Sequence, residues 1–224
     1  MAAVDVVIPT LNAGAALGAC LDALDAGPVV REVIVSDGGS TDGTVDMARA
    51  RGCRVVREAS GRGPQVRAGV AAVRAPWLLI LHADTALASG WDRAVAEHIA
   101  AHGPGVAAAF RLAYAPDSRP ARRVARWANR RAGWLGLPYG DQGLLISREL
   151  YERVGGVPEV PLMEDVALVR AVGRRRLRLL PARAVTSPAR YVRGGWWARP
   201  ARNLGILALY LAGVPPRRLA RLYA

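Results

Sequence analysis

The chain has 224 residues, 52% of them hydrophobic and 22% charged, which allows a buried core and excludes a disordered chain. Two cysteines exclude a disulfide framework and a cysteine-rich metal site. All 31 basic residues are arginine and the net charge is +13, divided as 9 Arg against 11 acidic residues in 1–110 and 22 against 7 in 111–224. A bias in genome composition explains the absence of lysine as readily as a functional need for arginine does. It does not account for the asymmetry, which suggests nucleic acid, anionic lipid or phosphorylated substrates as partners.

The first half of the chain alternates short apolar runs with helical patterns. The runs at residues 4–8, 29–36, 54–57 and 77–81 predict strands, and the patterns at 15–24, 40–51 and 64–74 predict helices. Strands separated by helices at this spacing indicate right-handed βαβ units and a mostly parallel sheet. The sequence therefore predicts an α/β fold.

The second half is less regular and ends in helices. Strands are predicted at residues 106–114, 143–147, 177–180 and 184–186, and helices at 119–134, 163–174, 198–212 and from 216 onward. No repeat or long linker divides the chain, so we expect one domain with a C-terminal helical extension. The N-terminus lacks a basic signal region, and the longest apolar run, 204–214, is shorter than the ~20 residues of a spanning helix. We therefore expect a cytoplasmic protein, with contact to a membrane surface left open.

Polar groups follow three of the predicted strands. The segments are Pro9-Thr10-Leu11-Asn12 after the first strand, Asp37-Gly38-Gly39-Ser40 after the second, and His82-Ala83-Asp84 after the fourth. Ligands of open parallel sheets bind beyond the carboxyl ends of the strands, so these segments predict one site at one edge of the sheet. Each segment taken alone is also compatible with ordinary turn chemistry.

The residue types suggest what this site binds. A carboxylate at Asp37 can accept two hydrogen bonds from the edge of a uracil or guanine ring, and the glycines after it let a flat ligand approach the backbone. His82 and Asp84 fall on the same side of an extended segment. An imidazole and a carboxylate suit Mn²⁺ or Mg²⁺ held largely by a diphosphate, although His82 can equally be a histidine satisfied at a strand end.

In combination these motifs resemble the family-2 glycosyltransferases of GT-A fold. In that family the first strand ends in P-T-hydrophobic-N, and the second in D-(D/G)-(G/S)-S-x-D-x-T, which is matched by residues 37–44. The metal motif of the family is D-x-D, and this chain departs from it with His82 in the first place. The resemblance covers most of residues 4–170 and implies a GT-A-like (Rossmann-like) mixed, mostly parallel sheet flanked by helices. The short chain, the segment His82-Ala83-Asp84-Thr85 and Gly140-Asp141-Gln142-Gly143 are similar to a subgroup of small bacterial transferases associated with radical-SAM and selenodomain proteins.

The resemblance assigns roles along the chain. Residues 1–110 would bind the nucleotide sugar, 111–195 would carry the acceptor and catalytic groups, and 196–224 would form a basic amphipathic tail. The residues implied for the nucleotide sugar are Pro9, Thr10, Asn12, Asp37, Gly38, Ser40, Arg62, Gln65, Asp84, Asp141 and Gln142. Asp84, together with His82, would hold the divalent cation, Mn²⁺ or Mg²⁺.

Glu164 and Asp165 open a predicted helix, where two carboxylates are also good partners for the helix dipole. The family has an E-D pair beneath the acceptor, so the resemblance implies Asp165 as the general base and Glu164 as an orienting group. Such a base is required because the acceptor hydroxyl loses its proton as it attacks the anomeric carbon, opposite the departing nucleoside diphosphate.

The arginines of the second half have several interpretations. Arg190 and Arg193 are candidates to close over the diphosphate as a flap, because arginine forks bind phosphate oxygens. The pair Trp196-Trp197 before Arg199 fits such a flap or, equally, the headgroup region of an anionic membrane. The arginines at helical spacing in residues 119–131 are also typical of a solvated helix face.

The sequence thus predicts an inverting, metal-assisted transfer of a sugar from a UDP- or GDP-linked donor to an acceptor hydroxyl. One alternative is a polyprenyl-phosphate glycosyltransferase, peripheral on the inner face of the cell membrane, with a phosphorylated or lipid-linked acceptor. An arginine-rich nucleic-acid-binding module would explain the charge but not the polar strand ends, so no nucleic-acid partner is expected. A nucleotidyltransferase would normally carry a lysine after the first strand.

Overall fold

The computed structural model describes residues 3–25, 27–58 and 61–223, apart from the side chains of Arg190, Arg193 and Tyr223. The strands of this part are β1 (Val4–Thr10), β2 (Val30–Asp37), β3 (Arg54–Arg57), β4 (Trp77–Ile80), β5 (Thr85–Leu87), β6 (Ala107–Tyr114), β7 (Leu144–Ser147) and β8 (Leu177–Thr186). The helices are α1 (Gly14–Asp25), α2 (Thr44–Ala50), α3 (Arg62–Ala71), α4 (Trp91–His102), α5 (Arg119–Leu135), α6 (Arg148–Arg153), α7 (Glu164–Val172), α8 (Ala189–Gly194), α9 (Ala198–Leu211) and α10 (Pro216–Tyr223).

All eight strands form one sheet, in the order β3-β2-β1-β4-β7-β6-β8-β5. The pairs β2–β3, β1–β2, β1–β4 and β6–β8 are parallel, and β4–β7, β6–β7 and β5–β8 are antiparallel. Six strands therefore point the same way, and β5 and β7 run against them. The predicted mixed, mostly parallel α/β sheet flanked by helices is confirmed. Its topology brings the carboxyl ends of β1, β2, β4, β6 and β8 to one edge.

Helices cover both faces of the sheet because the central strands are apolar on both sides. Successive side chains of a strand point to opposite faces, so Ile8 packs in a cluster with Leu17 of α1 and Trp91 of α4. Val7 packs in a second cluster with Val66 of α3. The continuous apolar runs that predicted buried strands thus correspond to a sheet buried between two helical layers.

Asp5 is a charged residue inside this core, at 0% exposure. Its carboxylate accepts hydrogen bonds from Arg31 Nε (2.8 Å) and Nη2 (2.5 Å), and from the backbone N–H groups of Arg74 (2.7 Å) and Ala75 (2.9 Å). Burial disfavours the charge, but these donors hold the pKa of Asp5 below its ordinary value. The ionised carboxylate therefore ties β1 to β2 and to the turn that enters β4.

Some elements lie outside the sequence-based predictions, namely β5, α4, α6 and α8. In addition, the predicted strands at 177–180 and 184–186 are one continuous strand, β8. Pro181 favours a break at this point, since it cannot donate to a sheet ladder. The register between β6 and β8 shifts between Ala109 and Arg111, opposite Leu179 and Arg183, and this irregularity accommodates the proline.

Candidate functional site

Asp37 organises the turn at the end of β2. Its side chain is 1% exposed, and Oδ1 accepts hydrogen bonds from Thr10 Oγ1 (3.1 Å) and Ser40 Oγ (2.5 Å). Oδ2 accepts from the backbone N–H groups of Gly39 (3.0 Å) and Ser40 (2.9 Å). Against the effect of burial, these bonds keep the pKa of Asp37 below its ordinary value. Both oxygens are engaged in shaping the turn, so reading of a base by this carboxylate stays a prediction.

Asn12 and Gln65 fix the loops after β1 and β2 to each other. The backbone N–H of Asn12 donates to Ser40 Oγ (2.8 Å), and Asn12 Oδ1 accepts from the Thr41 N–H (2.9 Å). Gln65 is buried, and its Nε2 donates to the carbonyl oxygens of Thr10 (2.5 Å) and Ser36 (3.1 Å). These two predicted site residues therefore hold the backbone of the two loops in place at the edge of the sheet.

A cavity of about 340 Å³ opens at the same edge, beyond β4, β6 and β8. Its polar lining residues are Arg62, His82, Asp84, Tyr114, Tyr139, Asp141, Glu164, Asp165, Thr186, Ser187, Tyr191, Arg199 and Asn203. Six of them were singled out in the sequence: Arg62, His82, Asp84, Asp141, Glu164 and Asp165. They come from distant segments, and the topology brings their side chains to one space.

Other predicted site residues do not line this cavity. Those outside its lining are Pro9, Thr10, Asn12, Asp37, Gly38, Ser40, Gln65 and Gln142. Pro9 borders a small adjoining cavity of about 40 Å³. Gln142 is fully buried and its Nε2 donates to the carbonyl of Phe110 (3.0 Å), so its amide is used inside the fold and its role in binding the nucleotide sugar stays a prediction. The side chains of Arg190 and Arg193 lie outside the described residues.

Asp165 is held by the turn at Gly140–Gln142. Its Oδ2 accepts the N–H of Gly140 (2.7 Å), and its Oδ1 accepts the N–H of Val166 (2.7 Å) in the first turn of α7. A Cβ on Gly140 would overlap His82 Nε2, so this backbone lies directly against the imidazole. Glycine at position 140 is what lets the turn contact both His82 and Asp165.

Two further carboxyl groups of the cavity, those of Asp141 and Glu164, lie in surroundings that disfavour their charged form. Burial raises the pKa of Asp141 to about 6, and its Oδ1 has no hydrogen-bond partner among the described residues. Burial also raises the pKa of Glu164, and the neighbouring charge of Asp165 adds to the effect. Glu164 Oε1 lies 3.6 Å from Arg62 Nε, beyond hydrogen-bond distance. Carboxylates whose pKa is raised by burial and neighbouring charge in a cavity are typical of functional sites.

His82 and Asp84 both line the cavity, and their donors suit a divalent cation. Within the described residues, no group of three or more His, Cys, Asp or Glu side chains forms a metal cage. A hard cation that takes most of its ligands from a diphosphate and water needs few protein ligands. The orphaned oxygens of Asp141 and Glu164 add negative charge to the same space, so the residues present fit such a cation.

Aromatic residues close the cavity on the side of α5 and α8. Arg131 is buried, with its guanidinium carbon 3.4 Å from the ring centroid of Tyr139. Tyr114 meets Tyr191 edge-on at 5.4 Å between centroids, and Tyr191 stacks on Trp196 at 5.6 Å. The segment around Arg190 and Arg193, predicted as a flap, is the short helix α8, and its Tyr191 lines the cavity.

Sequence reasoning missed several lining residues. Thr186 ends β8 and Ser187 follows it, so the rule that identified the polar ends of β1, β2 and β4, applied to the predicted strand at 184–186, would have found them. Tyr139 directly precedes the Gly140–Gln142 turn. Asn203 carries no such signal, because it lies within α9 and reaches the cavity only through tertiary packing.

Comparison with known proteins identifies the family. The sequence profile described as glycosyl transferase family 2 matches residues 5–155. This chain belongs to glycosyl transferase family 2. The match decides for a glycosyltransferase over the nucleic-acid-binding and nucleotidyltransferase alternatives. Curated relatives include uncharacterized glycosyltransferases of Mycobacterium tuberculosis and Mycobacterium bovis, each 39% identical over 89 residues, which is 39% of this chain and 39% of each relative.

Solved structures share the fold at low sequence identity. A mannosyltransferase from Pyrobaculum calidifontis, in complex with GDP-Man and Mn²⁺, aligns with a TM-score of 0.67 and 21% identity, covering 96% of this chain and 66% of that one. Glucosyl-3-phosphoglycerate synthase from Mycobacterium tuberculosis, in complex with Mn²⁺, UDP and glucosyl-3-phosphoglycerate, aligns with a TM-score of 0.57 and 23% identity, covering 83% and 70%. The GT-A-like architecture expected from the sequence is therefore confirmed.

Proposed function

We propose that this family-2 glycosyltransferase moves a sugar from a nucleoside-diphosphate donor, UDP- or GDP-linked, to an acceptor hydroxyl with inversion at the anomeric carbon. The observation that carries the proposal is the convergence of His82, Asp84, Asp141, Glu164 and Asp165 on one cavity at the carboxyl edge of the sheet. Complexes of the similar structures with UDP, UDP-Glc, GDP-Man and phosphoglyceric acid support the donor class and an anionic acceptor. Membership of the radical-SAM-associated subgroup stays a prediction from Gly140-Asp141-Gln142-Gly143.

Asp165 is the general base of this proposal. Its Oδ2 already accepts the Gly140 N–H, which leaves further lone pairs on the carboxylate to take the proton of an acceptor hydroxyl. The ion pair between Glu164 and Arg62 lies beside it and would orient the acceptor or the base. In this arrangement the hydroxyl oxygen forms its bond to the anomeric carbon while the bond to the diphosphate oxygen breaks.

Asp84, assisted by His82, would hold a divalent cation, Mn²⁺ or Mg²⁺, against the diphosphate. When bound, this cation supplies electrostatic stabilisation of the charge that develops on the leaving diphosphate. The loops fixed by Asp37, Asn12 and Gln65 would carry the nucleoside, with Thr10 and Asn12 at its border and Asp37 facing the base. The proposed division of labour is thus a nucleotide-binding half at residues 1–110 and an acceptor half at 111–195.

The test separates donor binding from chemistry. Calorimetry and thermal shift with UDP-, GDP- and dTDP-sugars, each with and without Mn²⁺, should give one preferred donor, and that donor should release nucleoside diphosphate when an acceptor is present. Asp165→Asn should abolish release while leaving donor affinity within about twofold, and Asp117→Asn, an exposed residue outside the cavity, is the matched control. Turnover by Asp165→Asn would assign the base elsewhere, and absence of binding for every donor would contradict the proposal.

A lipid-linked acceptor, as in a polyprenyl-phosphate glycosyltransferase, is a second candidate supported by a series of adjoining cavities. The catalytic cavity shares Tyr139, Tyr191 and Asn203 with a small cavity of about 20 Å³. That cavity in turn shares Trp127 and Pro200 with an apolar groove of about 180 Å³ at the surface. An acceptor with an apolar tail and a phosphate would suit this series, and the enzyme would then work peripherally at the inner face of the cell membrane.

A further inference from the structure

Helix α5 packs in an unusual way, since it buries small residues and exposes large ones. The side chains that it turns to the core are mainly alanines, at Ala121, Ala125, Ala128 and Ala132. By contrast Trp127 is 49% exposed and Trp134 is 67% exposed. These tryptophans are seven residues apart, which places them on one side of the helix. The exposed arc beside them carries only basic charge, because α5 has five exposed arginines besides the buried Arg131 and no acidic residue.

Helix α9 carries a second exposed apolar stripe. Its core-facing side is Ile206 and Leu207, both buried. Opposite them, the side chains at positions 197, 201, 204, 208 and 211 follow the i, i+4, i+7 spacing of one helix face and are Trp, Ala, Leu, Ala and Leu. All five are exposed: Trp197 at 75%, Leu204 at 47% and Leu211 at 48%. This stripe extends for about 21 Å at 1.5 Å per residue.

The two stripes meet, and arginines surround them. Trp127 of α5 and Trp197 at the start of α9 line the same apolar groove, together with Trp196 and Pro200. At the other end of α5, Gly136 packs against Arg174, the first of the four arginines at positions 174, 175, 176 and 178. No acidic residue follows Asp165 in the sequence, whereas thirteen arginines do. We call this continuous surface of α5 and α9 the Trp–Arg face.

We propose that the Trp–Arg face docks on an anionic phospholipid bilayer, with Trp127, Trp134 and Trp197 at the headgroup boundary and the flanking arginines on lipid phosphates. Tryptophans and arginines on one exposed surface have this distribution in interfacial segments, because aromatic rings favour the boundary and guanidinium groups bind phosphate. No helix in the described part of the chain is long and apolar enough to cross a bilayer. We therefore expect the protein to lie on the surface of the bilayer, with the Trp–Arg face against the headgroups.

The charge argues for lipid rather than for a second copy of the chain. A symmetric contact of this face with itself would oppose arginines to arginines, since α5, α9 and α10 contain no acidic residue that could pair with them. An anionic bilayer supplies the missing negative charge, and each arginine near such a surface contributes about 1 kcal/mol, or roughly fivefold in partitioning. The inference extends the lipid-linked version of the proposed function, because the groove beside Trp127 is the outer end of the cavity series.

The test is co-sedimentation of the full chain with vesicles, in which sugar transfer plays no part. At physiological salt the protein should bind vesicles of phosphatidylcholine with 30% phosphatidylglycerol, and should bind phosphatidylcholine alone at least tenfold more weakly. Trp134→Ser with Trp197→Ser should lower binding at least tenfold. Arg126→Gln with Arg130→Gln should lower it about 25-fold, by two fivefold factors, and should reduce its dependence on salt.

Matched controls keep the result interpretable. Arg93→Gln with Arg67→Gln removes two exposed arginines on α4 and α3, outside the face, and should leave vesicle binding unchanged. All variants should keep donor binding by calorimetry, which is a measure of folding independent of the vesicles. Absence of binding to the anionic vesicles, equal losses in the control pair, or a concentration-dependent dimer that the tryptophan variants abolish would each overturn the proposal, whether or not the enzyme transfers sugar.

Discussion

The half-buried carboxylate of Asp141 should destabilise the folded chain at neutral pH, so Asp141→Asn should stabilise it. Burial raises the pKa of Asp141 from 3.8 to about 6. This change in pKa corresponds to a free-energy penalty of about 3 kcal/mol on the folded, ionised form, and the partial exposure of Asp141 to solvent leaves roughly 1–3 kcal/mol of it. Asn keeps the shape of the side chain without the charge. A gain in stability on removing a charged group would indicate that Asp141 is retained for its function.

The pH dependence follows from the direction of the shift. Because the folded-state pKa is raised, the unfolded chain loses its proton first, and the free energy of unfolding falls as the pH rises from about 4 to about 6. The full penalty is present above pH 6. Asp141→Asn should therefore exceed the parent chain in stability by roughly 1–3 kcal/mol at pH 7.5, and the difference should shrink steadily toward pH 4.

Urea denaturation at pH 7.5, 6.0 and 4.5, without nucleotide or metal, measures this difference, with Asp117→Asn as the exposed control. For a domain of this size the gain at pH 7.5 also raises the melting temperature by roughly 2–4 °C per kcal/mol. A destabilised Asp141→Asn, or a gain of equal size at every pH, would refute the account of Asp141 as an uncompensated charge.

Three further perturbations test single contacts. Asp5→Asn should lower the free energy of unfolding in urea at pH 7 by about 2–4 kcal/mol, because it weakens four hydrogen bonds in the core. The difference from the parent chain should become smaller in acid, since Asp5 of the parent is then protonated. Gly140→Ala should lower the rate of sugar transfer at least tenfold and weaken the Mn²⁺-dependent part of donor binding, since its Cβ displaces His82; an unchanged rate would contradict the close packing. Asp84→Ala should remove the enhancement of donor binding by Mn²⁺ in calorimetry but keep the metal-free affinity, and an intact enhancement would place the cation elsewhere.

The position of the site was predictable because it follows from strand direction. Parallel strands that alternate with helices bring their carboxyl ends to one edge, so the segments after β1, β2 and β4 had to converge. The direction in which each side chain points was less predictable. The carboxylate of Asp37 turns inward because the backbone of Gly39 has a φ of 95°, and this presents two N–H groups to it. A motif of residue types does not carry that backbone angle.

Two departures from the predicted strands, the missed β5 and the unbroken β8, share a physical cause. β5 has three residues, Thr85–Leu87, which is too short for a period to be visible, and it becomes a strand only because β8 lies beside it. The proline within β8 favours a break in any local analysis, whereas the shift of register against β6 is a property of two strands far apart in sequence. Both misses therefore come from long-range pairing, which local propensity does not contain.

The charge asymmetry of the sequence is best understood from where the arginines lie. The described arginines that line the candidate cavity are Arg62 and Arg199, and one of these belongs to the near-neutral first half. The same described lining holds the carboxyl groups of Asp84, Asp141, Glu164 and Asp165, which outnumber these arginines. A transferase that placed its +15 half around the diphosphate would show the opposite distribution. Most of that positive charge instead lies on α5, on residues 174–178 and on α10, so its function has to be sought at the surface rather than in the chemistry of sugar transfer.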